Sequence, residues 1–224
     1  GGCVQPSLAP NINHSIKNIL AKLNIEVLES SQGECCGALD QHLAASSDAL
    51  KKVKRNIDNW ISKLDSGVEA IISSASGCGV MIKDYPNLFE ESDPYYEKSL
   101  LISSKTKDIA EFLVNQDLSS LKLKELNIAY HEPCTMQHGQ KLGGLVESIL
   151  SEFGYIKKQI KDSHICCGSA GTYSVFETKI ANQLRSNKID NLNASKPKMI
   201  VTSNIGCLMH LQKGSSIPVK HWVE

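Results

Sequence analysis

Apolar residues recur along this chain with two periods, and the alternation between them sets out the fold. Helical spacing is clear at Ile12, Ile16, Ile19, Leu20 and Leu23, and again at Leu50, Val53, Ile57, Trp60 and Leu64. It returns at Leu142, Leu145, Val146, Ile149 and Phe153, and at Phe176, Ile180, Leu184, Ile189 and Leu192. Each stripe has a polar opposite face, so each predicts an amphipathic helix with the stripe in a core. Between the helices lie short runs of strand character: Ile25 to Leu28, Val68 to Ile72, Leu126 to Tyr130, Tyr155 to Ile160, Met199 to Thr202, and a last one near Ser216 to Trp222. The stretch from Pro86 to about Lys105 breaks the alternation with two prolines and Glu90-Glu91, and reads as an excursion into a helix from about Thr106 to Asn115. Strands alternating with helices predict an α/β fold with mostly parallel strands and right-handed crossovers.

Onto this scaffold the cysteines fall twice. Cys3, the pair Cys35-Cys36 and Cys78 are followed by Cys134, the pair Cys166-Cys167 and Cys207, at offsets 134−3 = 131, 166−35 = 131, 167−36 = 131 and 207−78 = 129. Glycine follows both pairs, at Gly37 and Gly168. The chain therefore reads as a tandem repeat of two pseudo-symmetric halves, 1–105 and 106–224. In each half the cysteines sit between a strand end or turn and the helix that follows. Sites in parallel sheets form beyond the carboxyl ends of the strands, where such loops converge. One, two and one thiols can therefore meet at a single point in each half.

Composition narrows the chemistry. With 224 residues, 41% of them hydrophobic, the chain can bury a core without disulfides. Lys and Arg number 24 and Asp and Glu 24, so no average basic charge points to nucleic acid. No apolar stretch approaches a membrane span, and nothing at the start looks like an export signal, which argues against a secreted disulfide scaffold. Adjacent cysteines are also awkward disulfide partners. Four thiolates satisfy either an iron-sulfur cluster or zinc. An adjacent pair with two distant partners differs from the paired C-x2-C knuckles of structural zinc, and it suits a polynuclear cluster, with glycine supplying the turn. His42, His131, His138 and His164 lie near the cysteines in sequence, either as extra ligands or as ordinary hydrogen-bonded and surface residues. Gly168-Ser169-Ala170-Gly171 lacks the lysine and spacing of a phosphate loop.

These residues carry a resemblance. Gly2-Cys3-Val4-Gln5-Pro6, Cys35-Cys36-Gly37-Ala38, Ala75-Ser76-Gly77-Cys78-Gly79, Cys134-Thr135-Met136-Gln137-His138, Ser163-His164-Ile165-Cys166-Cys167-Gly168-Ser169-Ala170-Gly171-Thr172-Tyr173 and Asn204-Ile205-Gly206-Cys207 resemble the cysteine-rich CCG-domain family. That family includes a component of the heterodisulfide reductases, the lactate-utilisation iron-sulfur proteins and the iron-sulfur subunits of bacterial glycolate oxidases, better called glycolate dehydrogenases, which the chain resembles most. The resemblance implies an electron-transfer subunit holding iron-sulfur clusters of the 4Fe-4S type on Cys3, Cys35, Cys36, Cys78, Cys134, Cys166, Cys167 and Cys207. It further implies FAD on separate flavin-containing glycolate dehydrogenase subunits, and a cytoplasmic location with membrane association only through those partners. Family members carry a ferredoxin-like region with C-x2-C-x2-C-x3-C-P runs, which this sequence lacks; together with the strand missing before Cys3, that leads us to expect a portion of a longer protein.

The chain also departs from the fullest form of the motif. Heterodisulfide-reductase-type domains close each half with C-x2-C, and here the first position of that pair is Ala75 or Asn204. Four thiolates per half leave several arrangements open: a cubane cluster, a variant with Asn204 or a histidine as a further ligand, or zinc in one half. Two other function classes stay open beside electron transfer. One is a structural or assembly module organised by zinc or bare thiols, and the other is a heterodisulfide-reductase-like thiol protein that cycles its adjacent cysteines.

Overall fold

The computed structural model describes all residues except 30–34, 122–125, 154 and 158–159, and the backbone alone at 156–157. Helices α1 (Gln5–Leu8), α2 (Pro10–Lys22), α3 (Ala38–His42) and α4 (Ser46–Asp65) precede strand β1 (Ile71–Ser73), helix α5 (Ser76–Lys83) and a 3-10 turn over Tyr85–Leu88. Next come α6 (Tyr96–Lys105), β2 (Thr106–Asp108), α7 (Ile109–Leu113) and β3 (Asn127–His131), then a single π-type turn over Thr135–Gly139. The chain continues through α8 (Leu145–Glu152), β4 (Ile156–Lys157), α9 (Tyr173–Phe176), α10 (Thr178–Asn193), β5 (Met199–Thr202), α11 (Ile205–Gln212) and β6 (Val219–His221). Every described strand pair is parallel. One sheet has the order β4-β3-β5-β6, and the other is the pair β1-β2. The expected α/β class is therefore the observed one, and β5, α11 and β6 repeat the arrangement of β1, α5 and β2.

Helix positions follow from the apolar spacing. Pro10 opens α2, and Ile12, Ile16 and Leu20 bury its inner face. Val53 and Ile57 do the same for α4, as do Val146, Ile149 and Leu150 for α8. The α2 stripe belongs to the core that also holds Ile128, Ile149, Ile200 and Leu208, so a helix near the start of the chain shares the core built around β3 and β5. A smaller core of Val53, Ile57, Met81, Ile82, Tyr85 and Ile102 lies wholly within the first half.

Several local expectations are corrected. Ile25 to Leu28 runs without a described ladder partner, and the helix expected from Thr106 begins as β2, with α7 starting only at Ile109. The excursion holds a helix of its own, α6, in which Ser99 and Ile102 are buried. Phe176 and Ile180, expected in the core, are 74% and 51% exposed, because α10 begins only at Thr178 and turns that end of its stripe outward. The Tyr155–Ile160 run includes positions outside the described residues.

The repeated segments meet at the carboxyl ends of β1 and β5. Ser76 N–H donates to the Ser203 carbonyl at 3.3 Å, and His221 Nε2 donates to the Ser74 carbonyl at 3.0 Å. Ser76 Oγ lies 2.7 Å from Thr135 Oγ1, and Gln140 Nε2 donates to the Ser76 carbonyl and to Asp108, each at 3.2 Å. Both cysteine sets therefore open off one shared seam.

Candidate metal centres

Cys78 and Cys207 lie in the first turns of α5 and α11, the other six cysteines lie outside the regular helices and strands, and the structure gathers the eight into two sets. In the first, the thiols influence one another in the order Cys3, Cys35, Cys36, Cys78. Burial and then the neighbouring Cys35 push the Cys3 thiol up. Cys35 is raised by the Cys36 thiol and by burial. Cys36 is pushed up to about 12: its neighbour Cys35 lowers it, but Cys78 and burial outweigh that. Cys78 is lowered by the Cys36 thiol. The second set has the same connectivity. Cys134 is raised by Cys166 and burial, Cys166 is lowered by Cys134 and Cys167, Cys167 is raised by Cys166 and Cys207, and Cys207 is lowered by Cys167.

Each set has an open side and a buried side. Cys3 and Cys134 are exposed, whereas Cys36, Cys167 and Cys207 are buried. Four thiols so close cannot all ionise unaided, because burial and like-charge repulsion both favour the protonated form. A cation relieves both penalties, and its binding must release protons. The donor chemistry of these sets thus fits a thiolate-bound metal group.

The backbone at the pairs is held from two directions. Gly37 and Gly168 adopt φ of +87° and +90°, a left-handed conformation that favours glycine. Gly168 also packs tightly under α10, where an added Cβ would run into the Ala181 carbonyl oxygen. Its N–H points to the Cys166 Sγ at 3.3 Å. From below, α4 presents Asn56, which donates to the Cys35 carbonyl at 2.9 Å and to Tyr85 Oη at 3.0 Å, while Tyr85 donates to the Cys36 carbonyl at 3.0 Å. From α10, the buried Lys188 donates to the carbonyls of Asp162 at 2.9 Å and Ser163 at 3.1 Å, pinning the loop ahead of the second pair. Asn56 and Lys188 hold comparable places on the two supporting helices, 188−56 = 132, one residue beyond the 131 of the pairs but the same as 181−49 = 132 for Ala181 and Ala49 beneath the two glycines. Sequence reasoning misses Asn56, Tyr85 and Lys188, although a polar residue inside an apolar stripe, as at Val53-Asn56-Ile57 and Leu184-Lys188-Leu192, is a readable signal.

Asn204, open as a further ligand, has other work. Its Oδ1 accepts from Gly206 N–H at 2.8 Å and caps α11, and its Nδ2 donates to Ser76 Oγ at 3.0 Å. Both ends of the amide are engaged. Of the four candidate histidines, only His131 is buried; His42, His138 and His164 reach the surface. His131 closes β3, and one of its ring nitrogens forms a group with the sulfurs of Cys167 and Cys207 in which all three atoms lie within 4.8 Å of one another.

A cysteine-rich domain model, described as CCG, matches residues 1–83 and 128–212, which takes in both cysteine sets. The chain belongs to the CCG cysteine-rich domain family. Among curated relatives, the Escherichia coli protein named glycolate oxidase iron-sulfur subunit is 42% identical over the whole chain, which spans 55% of that protein. A Bacillus subtilis protein named probable glycolate oxidase iron-sulfur subunit is 25% identical over 95% of the chain and 48% of its own length. Against these two, the chain spans about half their length. The Bacillus licheniformis lactate utilization protein A is 25% identical, with 99% of the chain and 94% of that protein aligned. No described helix of this CCG chain is long and apolar enough to cross a membrane.

Proposed function

We propose that the chain is the cysteine-rich portion of an iron-sulfur electron-transfer subunit in a 2-hydroxy-acid dehydrogenase complex of the glycolate type. In this reading Cys3, Cys35, Cys36 and Cys78 hold one metal centre in a first half, 1–105. Cys134, Cys166, Cys167 and Cys207 hold a second in 106–224, with β2 at the head of that stretch reaching back to complete the first sheet. The observation that carries it is the matched pair of thiol sets, each with an open and a buried side, in a chain similar to relatives named iron-sulfur subunits.

When bound, an iron-sulfur cluster, taken here as 4Fe-4S, supplies one-electron transfer. The protein's own contribution is to hold the thiolates, keep water from Cys36, Cys167 and Cys207, and leave Cys3 and Cys134 facing outward. Apolar side chains stand exposed near the sets in sequence: Leu8, Leu39 and Leu43 on the first half, and Val175, Phe176 and Ile180 on the second. Such a surface suits docking by other subunits. Substrate oxidation belongs, in this reading, to FAD on flavin-containing partner subunits, and the complex is cytoplasmic, touching the membrane only through its partners.

Anaerobic reconstitution of the chain with iron and sulfide, followed by metal analysis and electron paramagnetic resonance, tests the proposal. Loading of both halves, lost from one half at a time with Cys36→Ser or Cys167→Ser, is the expected result. A folded chain that takes up no iron overturns it. Stoichiometric zinc in one half, the donor set there including the imidazole of His131, is the second reading that the same metal analysis decides.

A further inference from the structure

His131 is 2% exposed at the end of β3, opposite Thr202 of β5, and its ring nitrogens meet no oxygen or nitrogen partner among the described residues, the polar group that acts on the ring being the Cys207 thiol, whose pKa it lowers. An unmet buried imidazole costs about 1–3 kcal/mol, and such groups call for a specific explanation. The surroundings offer one. A ring nitrogen and the sulfurs of Cys167 and Cys207 lie mutually within 4.8 Å, and all three residues are buried. Donors at about 2.0–2.3 Å from one metal ion in tetrahedral array lie about 3.3–3.8 Å apart, so a group spread over no more than 4.8 Å closes onto one atom with shifts of up to about 1 Å. Neutral imidazole is a good donor to both iron and zinc.

The neighbouring residues narrow the choice of donor. Asn204 occupies the place where the fuller motif has another cysteine, and its amide is committed to capping α11 and to Ser76. His131 reaches the same sulfur pair from the neighbouring strand end, on β3 rather than β5.

We infer that His131 is a direct ligand of the second half's metal centre, supplying a fifth donor beside Cys134, Cys166, Cys167 and Cys207. This rests on the reading that the second half binds metal. Ligation by the neutral ring requires one nitrogen to be free of its proton and leaves the other as a donor, so no redox step is involved in forming the site. A nitrogen ligand in place of thiolate removes one negative charge from the set, which raises the centre's reduction potential relative to an all-thiolate version.

The test uses the full chain carrying Cys35→Ser and Cys36→Ser, so that only the second half is loaded with iron and sulfide. Histidine labelled with nitrogen-15 is incorporated, and pulsed paramagnetic resonance of the reduced centre is recorded with His131 intact and as His131→Gln and His131→Cys. A strong nitrogen-15 coupling that disappears in both variants, with the potential of His131→Cys shifted downward, is the expected result. If the bound metal is zinc, which takes four donors, His131 stands in for one of the four thiolates, and X-ray absorption gives the equivalent readout, a nitrogen in the first coordination shell that His131→Cys replaces with sulfur. A metal-loaded second half with only the weak coupling of a hydrogen-bonded imidazole, unchanged in potential in His131→Cys, overturns the inference and leaves the metal reading standing. No metal in the second half with His131 intact overturns both. Because the intact protein already gives the decisive coupling, failure of a variant to fold does not obscure the answer.

Discussion

Replacing each of the two glycines after the cysteine pairs with alanine separates backbone strain from packing. Gly37 and Gly168 have nearly the same φ, +87° and +90°, so alanine meets the same left-handed penalty at both, about 1–2 kcal/mol. Their surroundings differ. An added Cβ at Gly37 comes no closer than 3.3 Å, to the Ala49 carbonyl oxygen, a contact that a small shift relieves. At Gly168 it would overlap the Ala181 carbonyl oxygen and sit 3.0 Å from Leu184 Cβ. Both belong to α10, so relief requires moving the helix or the pair itself, an overpacking cost of about 1–3 kcal/mol. Gly37→Ala should therefore cost about 1–2 kcal/mol and Gly168→Ala roughly 2–5, the sum of the two ranges. The assay is urea unfolding of the full chain under anaerobic conditions, with metal content measured on the same samples. Gly168→Ala should also lose metal from the second half first, since the shift falls on Cys166 and Cys167. Equal destabilisation by the two substitutions would refute the argument that α10 packs directly on the second pair.

Three further substitutions probe the supports. Asn204→Ala removes the α11 cap and the bond to Ser76, which should destabilise the chain by about 0.5–2 kcal/mol while leaving metal stoichiometry intact; loss of metal without loss of stability would make Asn204 a ligand after all. Lys188→Met removes a charged donor from the carbonyls of Asp162 and Ser163, at about 1.5–3 kcal/mol for each bond, and lowers the potential of the second centre by withdrawing a positive charge from its thiolates; an unchanged potential in redox titration counts against that electrostatic role. Asp108 and His221 occupy matching places at the ends of β2 and β6, and burial moves them in opposite directions, Asp108 up to about 6 and His221 down to about 4. For Asp108 the folded chain holds its proton below about 6 and the unfolded chain only below 3.8, so this group favours folding more as pH falls through that window, by about 3 kcal/mol. For His221 the unfolded chain takes up its proton near 6.5 and the folded chain only near 4, so its contribution is full above 6.5 and is lost by a similar amount as pH falls. The two nearly cancel in the natural chain. Asp108→Asn should therefore lose about 3 kcal/mol relative to it between pH 6 and 4, and parallel stability-pH curves for the two proteins would contradict this.

Much of the arrangement is legible in spacing. The stripes at Ile12-Ile16-Leu20 and Val146-Ile149 become buried helix faces, and Met199–Thr202 becomes β5 with its expected bounds, because in each case burial and local propensity agree. The cysteine register foretells the gathering of the thiols into two sets, while the strand-end placement expected of them holds only in part: no described strand precedes Cys3 or Cys35-Cys36, and Cys78 and Cys207 sit in the first turns of the helices that follow β1 and β5. Thr106-Lys107-Asp108 is illegible as a strand, since it has no apolar alternation and is extended only because β1 offers it a ladder. Phe176 looks like core because it extends the period of α10, yet a chain turn at Glu177 separates it from that helix. Asn204 before a helical segment is a capping signal that its place in the cysteine motif obscures. What distinguishes His131 from His42, His138 and His164 is depth alone, and depth is set by β3 lying between β4 and β5.

The repeat fixes the backbone of the two thiol sets more strictly than their electrostatics. Beneath the first pair the supporting helix places Asn56, a neutral donor, with Tyr85 completing a net of three hydrogen bonds to the Cys35 and Cys36 carbonyls and to each other. At the comparable position below the second pair stands Lys188, a cation held in a buried site and partly compensated by the thiols of Cys166, Cys167 and Cys207. A buried charge is costly unless its partners offset it. Bonds to two carbonyls engage two of its protons but not its charge; burial pushes its pKa down, and the sulfurs of Cys167 and Cys166, ahead of the Asp162 carboxylate, most oppose that shift. The second half is therefore built to hold more negative charge at its sulfurs than the first. Two centres of identical ligand count would still differ in potential on this ground, with the second the easier to reduce. On the proposed electron-transfer reading, with a cluster in each set, that difference would direct electrons from the Asn56 side to the Lys188 side, and the Lys188→Met variant should flatten it.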